Sequence, residues 1–410
     1  MAAEPKAKTR VAPPRRFLDT DYWLVLSVVA LIIIGLMMVF SATFDWSYQQ
    51  QGSTFSIASR QFLWAALGLV SMVVVALVPC EWLRRAAVPV LGVTVALLIL
   101  VLLIGDDVFG ARRSFLGGSV QPSEVAKIGM IIYVAAWLSS KGEQVRDLTY
   151  GLFPYAVLVG FVAYLIVLQP DMSSAILIVL IGVIMFFFAG ADIFQLSVAG
   201  IISTVTFFLL IKKLDYARQR LDDYMLIWRD PENISYHIRQ SLIALGSGGL
   251  FGVGLGQSQQ KLGYLPAAHT DSIFAVIGEE LGFVGCLVVI LLFALLIYRG
   301  FKITMQAADS FSALLACGVT CSLALQAVFN IAVITGLVPF TGIALPFISS
   351  GGSTMVVSGA SVGLLLSVAR GKPVATRRKR TAQSYADMDR RWGNRGTRVS
   401  GSRRRTRTTR

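Results

Sequence analysis

Between Gly254 and Gly282 the chain reads GLGQSQQKLGYLPAAHTDSIFAVIGEELG, which sets Lys261, Tyr264, His269, Asp271, Glu279 and Glu280 just before and inside a long apolar run. Asp271 opens that run. An aspartate there is either a helix cap or an acid at a membrane–water boundary, where it acts as a general base or holds a divalent cation such as Mg or Mn. Glu279 and Glu280 lie within the apolar run, and acids inside a membrane are functional candidates. Gly278 and Gly282 flank them, so a helix distortion explains that site equally well. Upstream, Gly246, Gly248, Gly249, Gly252, Gly254 and Gly256 form a glycine string. A nucleotide-binding P-loop needs Lys-Ser/Thr after its last glycine. Here Gln257 to Gln260 intervene before Lys261, so no nucleotide is expected. The string reads as a loop at the membrane surface whose N–H groups suit an anion.

Further polar groups lie elsewhere. Glu124 and Lys127 are three residues apart in an apolar stretch and share a helix face, where each alone would be costly. They form either a structural ion pair or a substrate contact. Arg112 and Arg113 precede them and are either solvated or suited to gripping a pyrophosphate, since guanidinium matches phosphate oxygens bidentately. Gln169-Pro170-Asp171 joins two apolar stretches and reads first as a turn with Asp171 capping the next helix, with Gln169 a candidate substrate contact. The run Pro339 to Thr354, including Ser349, is dense in Pro, Gly, Ser and Thr. Broken backbone at membrane depth is tolerated only inside protein or beside a polar cavity, so this loop is expected to dip in and line one.

The elements that must position these groups are membrane helices. The 410 residues are 55% hydrophobic with mean hydropathy +0.68, and the apolar residues fall in runs of membrane-spanning length rather than in short alternating strands. Ten spans are expected, at about 22–43, 61–79, 86–104, 121–139, 150–168, 172–190, 193–211, 271–298, 310–332 and 343–369. The expected architecture is an all-α polytopic membrane protein. Residues 1–18 form a basic N-terminus, 19–370 the ten-helix domain with a large outer loop 212–270 between helices 7 and 8, and 371–410 a basic disordered tail. Lys and Arg in the short loops place both termini in the cytoplasm. In 212–270, Lys212 to Trp228 reads as charged helix and His237 to Leu245 as a short amphipathic helix.

The net charge of +14 is concentrated in the tail, where Arg370 to Arg410 hold fifteen basic residues and the acids Asp387 and Asp389. A basic tail beside a span reads as an anchor to anionic membrane lipid, not a nucleic-acid arm. Cys80, Cys286, Cys317 and Cys321 read as small buried hydrophobes. With only His237 and His269 beside them, they make no zinc site of the usual kind.

The long stretch from Gln240 to Gly285, together with GARR, QPSEVAK, QPD and NIAVITGLVPFTGIALPFISSGGST, resembles the SEDS family (shape, elongation, division and sporulation), the FtsW/RodA group. The resemblance covers about Asp19 to Arg370 and looks more like the division branch than the elongation branch. It implies a ten-span peptidoglycan glycosyltransferase of the bacterial cytoplasmic (inner) membrane that uses lipid II. It also implies a class B penicillin-binding protein partner with transpeptidase activity, among other divisome or elongasome membrane proteins. The family's essential aspartate falls on Asp271 and its polar pair on Glu124 and Lys127. The chain departs from the family pattern at Ser114, where Trp is usual, and at Ser272, where Phe is usual.

The expected reading is therefore a catalytic Asp271, which is also a candidate metal ligand. Glu124, Lys127, Arg112, Arg113, Lys261, His269, Gln169 and Ser349 are the expected substrate contacts. The rivals are a lipid II flippase, which needs polar groups through the full membrane depth, and a non-catalytic division scaffold, which needs no charged cavity.

Overall fold

The computed structural model describes residues 21–51, 55–108, 111–115, 118–229 and 235–371. The expectations for residues 1–18 and for the tail beyond Gly371 lie outside the described residues. In chain order the helices are α1 (Tyr22–Gln51), α2 (Ser56–Leu77), α3 (Cys80–Arg85), α4 (Ala87–Ile104), α5 (Pro122–Lys141), α6 (Phe153–Val167), α7 (Met172–Phe188), α8 (Ile193–Lys213), α9 (Asp215–Arg229), α10 (Tyr236–Ser247), α11 (Ile273–Gln306), α12 (Ser310–Ile334) and α13 (Gly352–Ala369). Every one of the ten expected apolar stretches carries a helix. Among the described residues, eight helical segments are long and apolar enough to cross a membrane. The other two differ for visible reasons: α7 has 17 residues, and α5 carries Glu124, Lys127 and Lys141. This is an all-α integral membrane protein whose large exposed side chains, such as Phe62, Leu103, Ile202 and Phe283, suit a surface covered by lipid.

Two boundaries depart from expectation. The last helix begins at Gly352, not near 343, because Gly342, Pro346 and Gly351 break the run. Residues 341–351 instead form an irregular segment with Leu345, Phe347 and Ile348 buried. The stretch after α4 holds a two-stranded antiparallel hairpin, β1 (Asp106–Val108) with β2 (Ala111–Ser114), in which Asp107 faces Arg112. The charged helix expected from Lys212 is α9, and the amphipathic one is α10.

Small residues set the tightest packing. A side chain at Gly359 of α13 would stand 2.2 Å from the Gly68 carbonyl oxygen of α2, so the two backbones touch, as small residues allow between membrane helices. At the end of the bundle where α11 finishes, Arg299 grips Asp21 through Nε and Nη2 at 2.7–2.9 Å and ties the start of α1 to α11. By contrast α8 is almost unpacked: only Gln195 and Ile211 are buried along its 21 residues.

Candidate active site at the Asp271 end of the bundle

The acids after Asp271, Glu279 and Glu280, build a scaffold. Inside α11, Gly282 adopts φ +68° and kinks the helix. The kink frees carbonyls and N–H groups that a helix would have paired. The glycine string fills those places: Val253 and Gly254 donate to the carbonyls of Glu279 and Glu280, while Phe283 and Val284 donate to those of Gly249 and Leu250. A Cβ at Gly282 would lie 2.3 Å from the Gly252 nitrogen, and one at Gly248 would lie 1.9 Å from the Gly278 oxygen. The glycines do permit a close backbone approach, but to α11. Of the glycine N–H groups expected to suit an anion, those of Gly252 and Gly254 are committed within the protein, to the carbonyls of Gly248 and Glu280.

The two glutamates hold the next stretch. Glu279 accepts from the Ser258 hydroxyl and from the Gln259 N–H at 2.9 Å. Glu280 takes Lys261 Nζ at 2.9 Å and the Ser41 hydroxyl at 2.7 Å. Lys261 also reaches Ser41 at 3.0 Å, and its side chain is buried. Lys261, expected among the substrate contacts, is therefore an internal ion-pair partner of Glu280 in this structure. A lysine between two acid-anchored turns has its charge matched within the protein, because a buried ammonium without a partner would be costly.

Asp271 sits in the turn before α11. Its backbone is not the cap: Ser272 occupies that position and makes no side-chain cap bond. Ser272 donates to the Pro266 carbonyl at 2.9 Å and lies 2.9 Å from His237 Nε2 of α10. With the serine's one proton given to Pro266, the imidazole donates through Nε2–H and is neutral, and burial lowers the His237 pKa to about 4. The same cause lowers His269. Ser272, the departure from the family pattern, thus pins the turn carrying Asp271 to α10.

The irregular segment 341–351 forms the other wall. Ser349 donates to the Thr270 carbonyl at 2.7 Å and accepts from the Leu345 N–H at 2.7 Å, and Ser350 N–H meets the His269 carbonyl at 2.9 Å. Ser349, expected among the substrate contacts, is a stitch between the walls. Gly342, exposed and at φ +69°, faces Asp271: a Cβ there would lie 3.2 Å from Oδ2. From α12, Asn330 donates through Nδ2 to the Asp271 carbonyl at 2.8 Å and to the Ile343 carbonyl at 2.7 Å. One amide thereby clamps both walls.

Behind this clamp, Glu124 and Lys127 of α5 pair at 2.7 Å with both side chains buried, and Lys127 also donates to Gln326 Oε1 at 3.1 Å. Gln326 lies one turn before Asn330, so one stripe of α12 links the ion pair to the Asp271 turn. Directly beneath Lys127, Met130, Ile131, Val134, Ile178, Ile181 and Met185 leave no room for a water molecule. At the opposite end lies a separate cavity of about 420 Å³, bordered by Ser139, Glu143, Arg146, Thr304, Ser310 and Cys317.

Asp171 accepts from Gln121 Nε2 at 2.9 Å and Ser123 at 2.8 Å and caps α7 through the Ser174 N–H at 3.1 Å, as its turn position foretold. Gln169 is fully buried and donates to the Leu98 carbonyl at 3.0 Å, while its Oε1 has no partner among the described residues. Arg112 and Arg113 lie on β2, and their side chains fall outside the described residues. The structure adds residues not singled out in the sequence: Asn330, Gln326, Thr341, Gly342, Ser173, Tyr216 and Arg220. Ser322, Gln326 and Asn330, four apart on an apolar helix, were a readable stripe. Arg220 and Tyr216 carried no such signal.

The fold and site define a polytopic helical membrane protein with a part-buried acid held between two irregular walls at one end of its bundle. The family model described as cell cycle protein, FtsW/RodA/SpoVE, matches residues 22–373. The chain is 39% identical over 366 residues to the probable peptidoglycan glycosyltransferase FtsW of Trichlorobacter lovleyi, covering 88% of this chain and 96% of that one. It is 39% identical over 355 residues to stage V sporulation protein E of Bacillus subtilis, covering 85% and 97%. Among solved structures, the rod shape determining protein RodA of Thermus thermophilus is 29% identical with a TM-score of 0.64, covering 86% of this chain and 98% of that one. A chain from a peptidoglycan synthase complex that coordinates polymerization and crosslinking is 27% identical with a TM-score of 0.69 and the same coverage. The chain belongs to the FtsW/RodA/SpoVE family, the SEDS proteins.

Proposed function

We propose that this protein is a peptidoglycan glycosyltransferase that polymerises lipid II at the outer face of the bacterial cytoplasmic membrane, in the division branch of its family. The observation that carries the reading is the Asp271 turn: a carboxylate beside exposed Gly342, with its backbone clamped by Asn330. Such fixing by surrounding hydrogen bonds is what a positioned base requires. Lys141, Arg146, Arg299 and Lys302 lie at the end of the bundle away from Asp271, which supports cytoplasmic termini and an outward-facing site.

In the reaction, the acceptor sugar's 4-hydroxyl oxygen attacks the donor's anomeric carbon. Asp271 takes the hydroxyl proton as the new C–O bond forms. The bond from the anomeric carbon to the pyrophosphate breaks, and undecaprenyl pyrophosphate leaves with the electron pair. A single displacement inverts the anomeric centre. Glu124 and Lys127 hold α5 to α12 behind the Asp271 turn, and neither needs to touch the reacting atoms.

A divalent cation, Mg or Mn, fits this donor set: Mg²⁺ commonly takes one or two carboxylates together with substrate phosphates and water, and here Asp271 would supply the carboxylate. Bound there, it would neutralise charge on the pyrophosphate. Among the described residues no cluster of three or more His, Cys, Asp and Glu offers a metal site.

The protein partner is a class B penicillin-binding protein, supported by the likeness to a chain from a synthase complex of polymerization and crosslinking. The apolar side chains packed beneath Lys127 (Met130, Ile131, Val134, Ile178, Ile181 and Met185) support polymerisation over lipid translocation, which would need a polar route past them. The test is polymerisation of purified lipid II by the full chain with its partner. Asp271→Ala is expected to abolish glycan formation, and equal yields from parent and variant would refute the assignment.

A further inference from the structure

Five buried side-chain oxygens have no partner among the described residues: Gln169 Oε1, Gln260 Oε1, Asn330 Oδ1, Thr341 Oγ1 and the Tyr216 hydroxyl; the last three are linked through the wall that carries Gly342. Buried polar atoms are almost always paired, and leaving one unpaired is destabilising. Three such atoms around one wall call for an explanation outside the fold's own needs.

Their placement is connected. The Thr341 carbonyl accepts from Ser173 of α7 and from Arg220 Nη1 of α9 at 3.4 Å. Arg220 also lies over the Phe340 ring at 5.6 Å. Tyr216 is one helical turn before Arg220 and within electrostatic reach of both Arg220 and Asp171. Thr341 adjoins Gly342, which faces Asp271, and Asn330 is 2% exposed with its amide nitrogen already committed to both walls. A guanidinium and two hydroxyl donors are therefore linked through Thr341 to the wall that faces Asp271, and an amide acceptor stands beside Asp271.

We propose that Tyr216, Thr341 and Arg220 form the subsite for the phosphoryl oxygens of the diphosphate leaving group, and that Asn330 Oδ1 accepts a hydrogen bond from an O–H or N–H of the sugar. This rests on the glycosyltransferase reading. The chemistry matches: hydroxyls donate to phosphate oxygens beside a guanidinium, whose charge strengthens those bonds. The subsite takes the role that Lys261 cannot fill while it pairs with Glu280. It also explains why the unpaired oxygens persist, since residues that serve a ligand often oppose the fold's stability.

Isosteric variants separate ligand binding from folding. Tyr216→Phe and Thr341→Val each remove one unpaired oxygen and leave the shape. They are expected to keep or raise the parent's Tm. Each is expected to lower kcat/KM for lipid II polymerisation roughly 10- to 100-fold, as for a lost bond to a charged group, and to weaken inhibition by added undecaprenyl pyrophosphate. Retained kcat/KM in both variants would overturn the proposal, as would activity lost together with Tm, which marks a structural role. Asp271→Ala is run alongside. Activity lost in that variant but kept in the other two sinks the subsite alone, whereas activity kept in Asp271→Ala sinks the underlying reading.

Discussion

Lys261 Nζ and Glu280 Oε1 lie 2.9 Å apart with side chains only 5% and 0% exposed, and this pair fixes where the chain re-enters the bundle ten residues before Asp271. Removing one partner strands a buried charge, which typically costs about 3–5 kcal/mol. Lys261→Met and Glu280→Gln are each expected to lower Tm sharply, while the joint Lys261→Met/Glu280→Leu change costs less than either alone. Thermal unfolding of the three variants in one detergent checks this. Additive losses would show that the pair is not coupled.

Gly342 guards the open side of Asp271. Alanine there would hold φ +69° against its preference and set a methyl 3.2 Å from Oδ2. Such displacement of a catalytic group lowers kcat by roughly ten- to a hundredfold, and the backbone strain costs about 1–2 kcal/mol. Gly342→Ala should therefore show a large drop in kcat with a modest drop in Tm. Steady-state polymerisation rates and a melting curve measure the two effects separately.

The kink at Gly282 admits no side chain. A Cβ there lies 2.3 Å from the Gly252 nitrogen at φ +68°, so Gly282→Ala must push the glycine string off α11 and break its four cross-bonds. Stability should fall by more than the strain alone, about 1–2 kcal/mol. Hydrogen exchange should show the amides of Val253, Gly254, Phe283 and Val284 losing protection together. Unchanged protection at these four would contradict the patched-kink description.

His237 makes the turn acid-sensitive. Its folded pKa of about 4 lies below the unfolded value of about 6.5. Between those values the unfolded chain binds more protons, so stability is full above pH 6.5 and declines as the pH falls toward 4. His269 shifts in the same direction and adds to the slope. Tm measured at pH 7.5, 6 and 5 should fall steadily, and His237→Gln should flatten the fall. A parent Tm independent of pH across that window would count against the neutral imidazole at Ser272.

The helices were legible because ten apolar runs of spanning length have few other physical solutions. The Glu124–Lys127 pair was legible from its spacing, and Asp171 from its turn. The roles within the Gly254–Gly282 stretch were not. Glu279, Glu280 and Lys261 look like chemistry in one dimension, yet they satisfy a loop and a kink whose geometry depends on Ser41, more than two hundred residues away. The partners of Gln169 and Ser349, Leu98 and Thr270, are likewise brought near only by packing. Arg220 and Tyr216 lay in a charged amphipathic helix, where one more Arg and Tyr carry no mark. What singles out Tyr216 is an unpaired oxygen, a property of the folded chain.

The sparse packing of α8 has a consequence for the enzyme's surroundings. Its 21 residues span about 31 Å, close to the roughly 30 Å hydrocarbon thickness of a bilayer. With so little of it buried against protein, its tilt and depth are set by the acyl chains. Through Leu214 it runs directly into α9, which carries Tyr216 and Arg220. A thinner membrane is expected to tilt such a helix, and the contacts of α9 with the bundle, Arg220 to the Thr341 carbonyl and Tyr224 to the Leu337 carbonyl, are where that tilt would be felt.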